Sequence, residues 1–172
     1  MSPRMIMRLG RLVISCGLMV SGCASMPHRQ SHATSEGLLD TQAIARILRL
    51  AGSTTDGVFK VAKPRTDIAV VMDGFPITPR MGLTAWLAFQ PHGKHAMVMG
   101  DLPLLDDELQ PVLSSLMERG LEVSALHNHF IGENARVMFL HVGGLGDPVR
   151  LATGLRAALN QMSATRSTES NR

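Results

Sequence analysis

The stretch LLDDELQPVLSSLMERGLEVSALHNHFIGENARVMFLHVGGLGDPVRLATGLRAAL, residues 104–159, decides the fold class. Its first part is acidic at the start and repeats apolar residues at Leu109, Val112, Leu113 and Leu116. Gly120 stops that stripe, so the spacing predicts a helix. Pro111 is expected near the first turn, because deeper placement breaks a backbone hydrogen bond. LEVSALHNH and ARVMFLHV then read as two strands joined by FIGEN. Asp147 caps a final helix with Pro148 at its first position, and Leu151, Leu155, Ala158 and Leu159 share one of its faces. Helix, strand, strand, helix after an earlier run of strands predicts an α+β domain. The expectation is an antiparallel or mixed sheet with about three packed helices, ferredoxin-like in its C-terminal half by analogy.

Upstream, Asp40 or Thr41 can cap a helix from Asp40 to Ala51, with Ile44, Ile47, Leu48 and Ala51 at helical spacing and Gly52 as its stop. GVFKVAKPR and DIAVVMDG read as strands and FPIT as a third short piece. Leu83 to Gln90 and Lys94 to Met99 form a hairpin around PHGK, which leaves His92 and His95 in a solvated turn. Trp86 is expected in the core. No internal repeat is visible.

The start of the chain is not domain material. Arg4, Arg8 and Arg11 precede the apolar run LVISCGLMV, Leu12 to Val20, which is about half of the ~20 residues a spanning helix needs. VSGC follows, and it resembles a bacterial lipobox, which implies cleavage before Cys23 and a lipid on its thiol. The expected organisation is a signal peptide at 1–22, a small polar tether at 23–35, one domain at 36–162 and a disordered tail at 163–172. Two or three acyl chains anchor firmly where one does not. Ala24 rather than Asp after the cysteine implies the outer membrane, facing the periplasm, in a cell with two membranes.

Removing the signal changes the charge balance. The chain has 17 Lys+Arg against 14 Asp+Glu, and the three arginines of the start account for the difference. A formally neutral domain with no Tyr and one Trp has neither the basic surface nor the stacking platform of a nucleic-acid binder. Cys16 leaves with the signal and Cys23 carries lipid, so no thiol remains for redox chemistry or metal ligation.

The segment VMGDLPLLDDELQPVLSSLMERGLEVSALHNHFIGENARVMFLHVGGLGDPVRLATGLRAAL resembles the LppY/LpqO family of bacterial lipoproteins, a domain of unknown function. DGFPITPRMGLTAWLAF is similar to that family's N-terminal half. The likeness spans about Gly37 to Leu159 and rests on the ALHNH, Glu and FLH core. It implies a cell-envelope address and this fold more than any chemistry. Members often carry two copies of the domain, whereas this chain holds one.

ALHNHFIGEN, residues 125–134, is the candidate site. The letters HNH do not make a nuclease, whose three residues are spread over a far longer segment. Nor is this a cupin: His127, His129 and Glu133 fit the start of that pattern, but His141 follows too early. On a regular strand His127 and His129 share a face with Val123 and Ala125, and Asn128 projects the other way. Imidazoles on an apolar face need partners, and two readings stay open. In one, His127, His129 and His141 hold a divalent metal (zinc, copper or iron), with Glu133 as a fourth ligand or second partner and Asn128 as a ligand-binding neighbour. In the other, the histidines are a hydrogen-bonded structural pair.

Strand register separates the two readings. Partner numbers with an even sum, such as 266, set His127 opposite Phe139 and bring His141 to the same face; an odd sum sends it to the other, and a bulge exchanges the outcomes. The same residues could serve a metal-dependent or histidine-based envelope enzyme, although no nucleophile with an adjacent base is visible. GGLGDP reads as a tight turn and cap without the spacing of a phosphate loop. The acidic run Asp106 to Glu108 reads as compensation of the helix dipole.

Overall fold

A computed structural model describes residues 39–132 and 136–162. The expected signal peptide, Cys23, the tether, Glu133 and the tail lie outside the described residues. Helix α1 (Thr41–Leu48) is followed by strands β1 (Gly52–Thr55), β2 (Val58–Pro64), β3 (Val70–Met72) and β4 (Phe75–Ile77). After a 3₁₀ turn at Pro79–Met81 come β5 (Thr84–His92), β6 (His95–Leu105), α2 (Asp106–Glu118), β7 (Glu122–Asn128), β8 (Val137–Gly146) and α3 (Pro148–Gln161). The fold is α+β. Six strands form one antiparallel sheet in the order β1-β2-β5-β6-β8-β7, and β3 and β4 pair separately. Because β6 and β7 both run antiparallel to β8, they are parallel to each other and joined through α2. This is the split β-α-β unit of the ferredoxin-like analogy.

The helices cover one face of the sheet. Ile44 and Leu48 of α1, Val112 and Leu116 of α2, and Leu155 and Leu159 of α3 pack with Val61, Leu87, Val98, Leu140 and Val142. Each such side chain contributes about 1.5–3 kcal/mol on burial. The other face is buried at one end, where Val137 and Phe139 pack with Ile68, Val70 and Leu83. The remainder of that face is open.

Several elements differ from the sequence expectation. Helix α1 ends at Arg49, itself in the left-handed region (φ 54°), and not at Gly52. Gly52 instead opens β1, where a Cβ would lie 2.6 Å from both the Phe59 ring and the Lys60 carbonyl. The β1–β2 hairpin turns on Asp56 and Gly57, both at positive φ, a turn pair that was legible in TTDGV. Pro111 sits in the second turn of α2 because Glu108 sets the start of the helix: the Leu105 N–H donates to Glu108 Oε2 at 2.9 Å. The acidic run is therefore more than dipole compensation. Glu108 is fully buried and pairs with the equally buried Arg65 at 2.8 Å. Arg65 also donates to the Pro103 carbonyl at 2.6 Å and to the Met162 carbonyl at 3.3 Å. GGLG is not a turn but the end of β8. A Cβ at Gly144 would already stand 3.2 Å from Leu121 and Leu151. The final helix follows expectation, with Asp147 accepting from the Arg150 N–H at 2.9 Å.

Candidate functional site

The register of β7 on β8 changes partway along. Glu122 and Val123 pair with Gly143 and Val142; after a bulge at Ser124, Ala125, Leu126, His127 and Asn128 pair with His141, Leu140, Phe139 and Met138. Beyond the bulge the partner numbers sum to the even value that joins the histidines. The bulge also corrects one expectation. Val123 packs against the helix-side core with Val142, whereas Ala125 and His127 face the open side, so Val123 and His127 do not share a face. Without the extra residue, either Val123 would leave the core or His127 would turn to the helix side, away from His141.

Three imidazoles consequently gather on the open face. The rings of His127 and His129 are 5.0 Å apart between centroids, and those of His127 and His141 4.9 Å. His129, one residue past β7, lies flat on Phe139, with centroids 3.4 Å apart and planes inclined by 6°. Loss of water around its ring, and then the neighbouring His127, lower the proton affinity of His129 below that of an ordinary histidine; Asp101 opposes this in part. Its neutral form is thereby favoured.

Asp101 was not among the residues expected at the site. It stands on β6 directly opposite His141, with its Oδ1 3.7 Å from His141 Nε2. That oxygen is buried and has no hydrogen-bond partner among the described residues. An unsatisfied buried carboxylate oxygen costs free energy until a donor or cation meets it. The expected hairpin ended at Met99, but β6 continues to Leu105, and Met97, Met99 and Asp101 alternate with the buried Ala96, Val98 and Leu102. The signal for Asp101 was present in MVMGDL as one acidic residue at an outward position.

Trp86 is likewise on this face and not in the helix-side core. It pairs with Asp101 in the sheet and carries the Lys60 ammonium 4.3 Å above its ring. A groove of about 440 Å³ runs between the sheet and the 3₁₀ turn, bordered by Lys60, Arg80, Trp86, Asp101 and His129. A neighbouring cavity of about 620 Å³ shares Ala62, Pro79, Arg80 and Thr84 with it.

Asn128 does not join the site. It projects from the other side of β7, and its Nδ2 donates to the Phe130 carbonyl at 2.7 Å, closing the turn that carries His129. His92 and His95 face each other beside the Gly93 turn, exposed and far along the sheet. Among the described residues, no three His, Cys, Asp or Glu side chains stand drawn together as a finished metal cage. What the backbone supplies is three imidazoles and a carboxylate on one face, beside an open groove.

No curated protein and no solved structure matches the chain. The family model described as Domain of Unknown Function (DUF1259) matches residues 42–161, which runs from the first turn of α1 to the last residue of α3. With nearly the whole folded domain inside that match, the chain belongs to the DUF1259 family.

Proposed function

We propose that the protein is a lipid-anchored cell-envelope binding module of the LppY/LpqO type, in which His127, His129 and His141 hold one divalent metal: zinc, copper or iron. Asp101 supplies a carboxylate beside them, and Glu133 is a further ligand. The observation that carries this reading is the bulged register, which sets three imidazoles on one face next to an orphaned carboxylate oxygen. Metal binding would satisfy that oxygen and requires the four side chains, which stand on one surface but are not drawn together among the described residues, to turn toward one point. Rotamer adjustment costs about 1 kcal/mol per side chain, against roughly 10 kcal/mol or more released by a well-ligated zinc. The lowered proton affinity of His129 favours the neutral imidazole that a metal requires.

The test is elemental analysis and thermal stability of the chain purified without chelator or affinity-tag metal. A stoichiometric metal, lost in His141→Ala and in Asp101→Asn, is expected. Metal-free protein that gains no stability from zinc, copper or iron would return the histidines to a structural role. The anchor is tested separately: Cys23→Ser should abolish fatty-acid labelling and leave an unprocessed precursor, and continued labelling would refute the lipid attachment. A second reading, a metal-dependent or histidine-based hydrolase, is favoured by a neutral His129 on the rim of an open groove. Turnover that disappears in His129→Gln would distinguish it from a binder.

A further inference from the structure

The groove beside the histidines contains two cations for which the metal reading has no use. Lys60 lies over the face of Trp86, and Arg80 reaches in from the 3₁₀ turn. Among the described residues neither is paired with a carboxylate. The groove is about 440 Å³, within the ~300–1,000 Å³ of small-molecule sites. Ala62, Pro79 and the Trp86 ring give it an apolar wall, and Asp101 and His129 also border it. Unpaired cations at the edge of an apolar slot are what a small organic anion recognises, the charge meeting Lys60 and Arg80 and the body covering Trp86.

We infer that this groove binds a small organic anion that carries one carboxylate or phosphate on a flat apolar body. The inference goes beyond the metal site and does not rest on it: the two sites share Asp101 and His129, but the charge is recognised by Lys60 on β2 and Arg80 on the 3₁₀ turn, apart from the histidine-bearing strands. The anion displaces Lys60 from its position over the indole, so binding alters the environment of Trp86.

Trp86 is the single tryptophan of the chain, and all tryptophan fluorescence therefore comes from a residue that lines this groove. The full chain, freed of metal with a chelator, is titrated with phenyl phosphate and benzoate, with the neutral isostere benzamide, and with inorganic phosphate. Calorimetry supplies a second readout for variants that themselves alter the indole. The expected result is a saturable change in emission with phenyl phosphate or benzoate, and binding weakened about tenfold or more in both Lys60→Gln and Arg80→Gln, as loss of a charge-assisted hydrogen bond requires. Both side chains are exposed, so these variants fold, and far-ultraviolet circular dichroism checks this. Three outcomes overturn the inference: no saturable binding of either aromatic anion up to ~10 mM, the range of weak fragment binding; equal affinity for benzamide or for inorganic phosphate; or variants that bind like the parent. Because the titration is done on metal-free protein, success here with failure of the metal analysis, or the reverse, identifies which of the two readings is wrong.

Discussion

His129 illustrates how one side chain's surroundings set its chemistry. Its ring is flattened on Phe139 and stands next to His127, and both circumstances disfavour the imidazolium. In the unfolded chain the same group titrates near the ordinary value of about 6.5. With the folded affinity lowered, the unfolded chain takes up the proton first as pH falls. Stability from this residue is therefore complete above about 6.5 and declines as pH drops through that value toward the folded one. We expect the melting temperature to fall between about pH 7.5 and 5, and His129→Gln to flatten part of that fall. A parent profile that rises on acidification would contradict the direction of the shift. The residue types were legible in ALHNHFIGEN, but stacking on Phe139 was not, because Phe139 comes from another strand.

At the scale of an element, β7 reconciles two demands with one extra residue. Val123 must face the helices and His127 the open side, yet a regular strand would send both the same way. The bulge at Ser124 resolves this, and it predicts an unusual pair of deletions. Removing Ser124 joins the two halves into a single regular ladder, keeps Val123 opposite Val142 and His127 opposite Phe139, and should alter stability by no more than about 1 kcal/mol. Removing Leu126 instead leaves the bulge and turns His127 toward the helix-side core. There it takes the place of Leu126, which is 44% exposed, so the imidazole stays hydrated and the cost is about 1 kcal/mol, while His127 is parted from His141. Metal loading of the two variants compares them directly: retention without Ser124 and loss without Leu126 are expected, and equal loading would show that the bulge does not control the facing. Strand alternation was legible in the sequence. The bulge was not, since it arises only when two strands with conflicting facing demands are laid side by side.

Across the whole molecule, Arg65 ties together pieces that are distant in the chain. From the end of β2 it reaches Glu108 at the start of α2, the carbonyl of Pro103 in β6 and that of Met162 just past α3, with Asp67 2.9 Å from its Nε. A buried pair adds little over an apolar replacement, but breaking one leaves Arg65 with the part-exposed Asp67 in place of a buried carboxylate. Glu108→Leu alone should therefore lose about 2 kcal/mol in urea denaturation, and Arg65→Met with Glu108→Leu should recover part of that loss. A double variant less stable than the single one would mean that Arg65 acts chiefly through the two carbonyls. By itself, the sequence determined the α+β class, the cap at Asp147 and a first cap at Asp40 or Thr41, the helix-side apolar stripes and the histidine-bearing hairpin, because these depend on local periodicity and capping. Tertiary structure alone decided that Asp101, Trp86 and Lys60 share a face with the histidines, and that Arg65 and Glu108 are buried together. Those juxtapositions depend on strand order and register, which are set by packing between elements far apart in the chain and leave no trace in the spacing of any one segment.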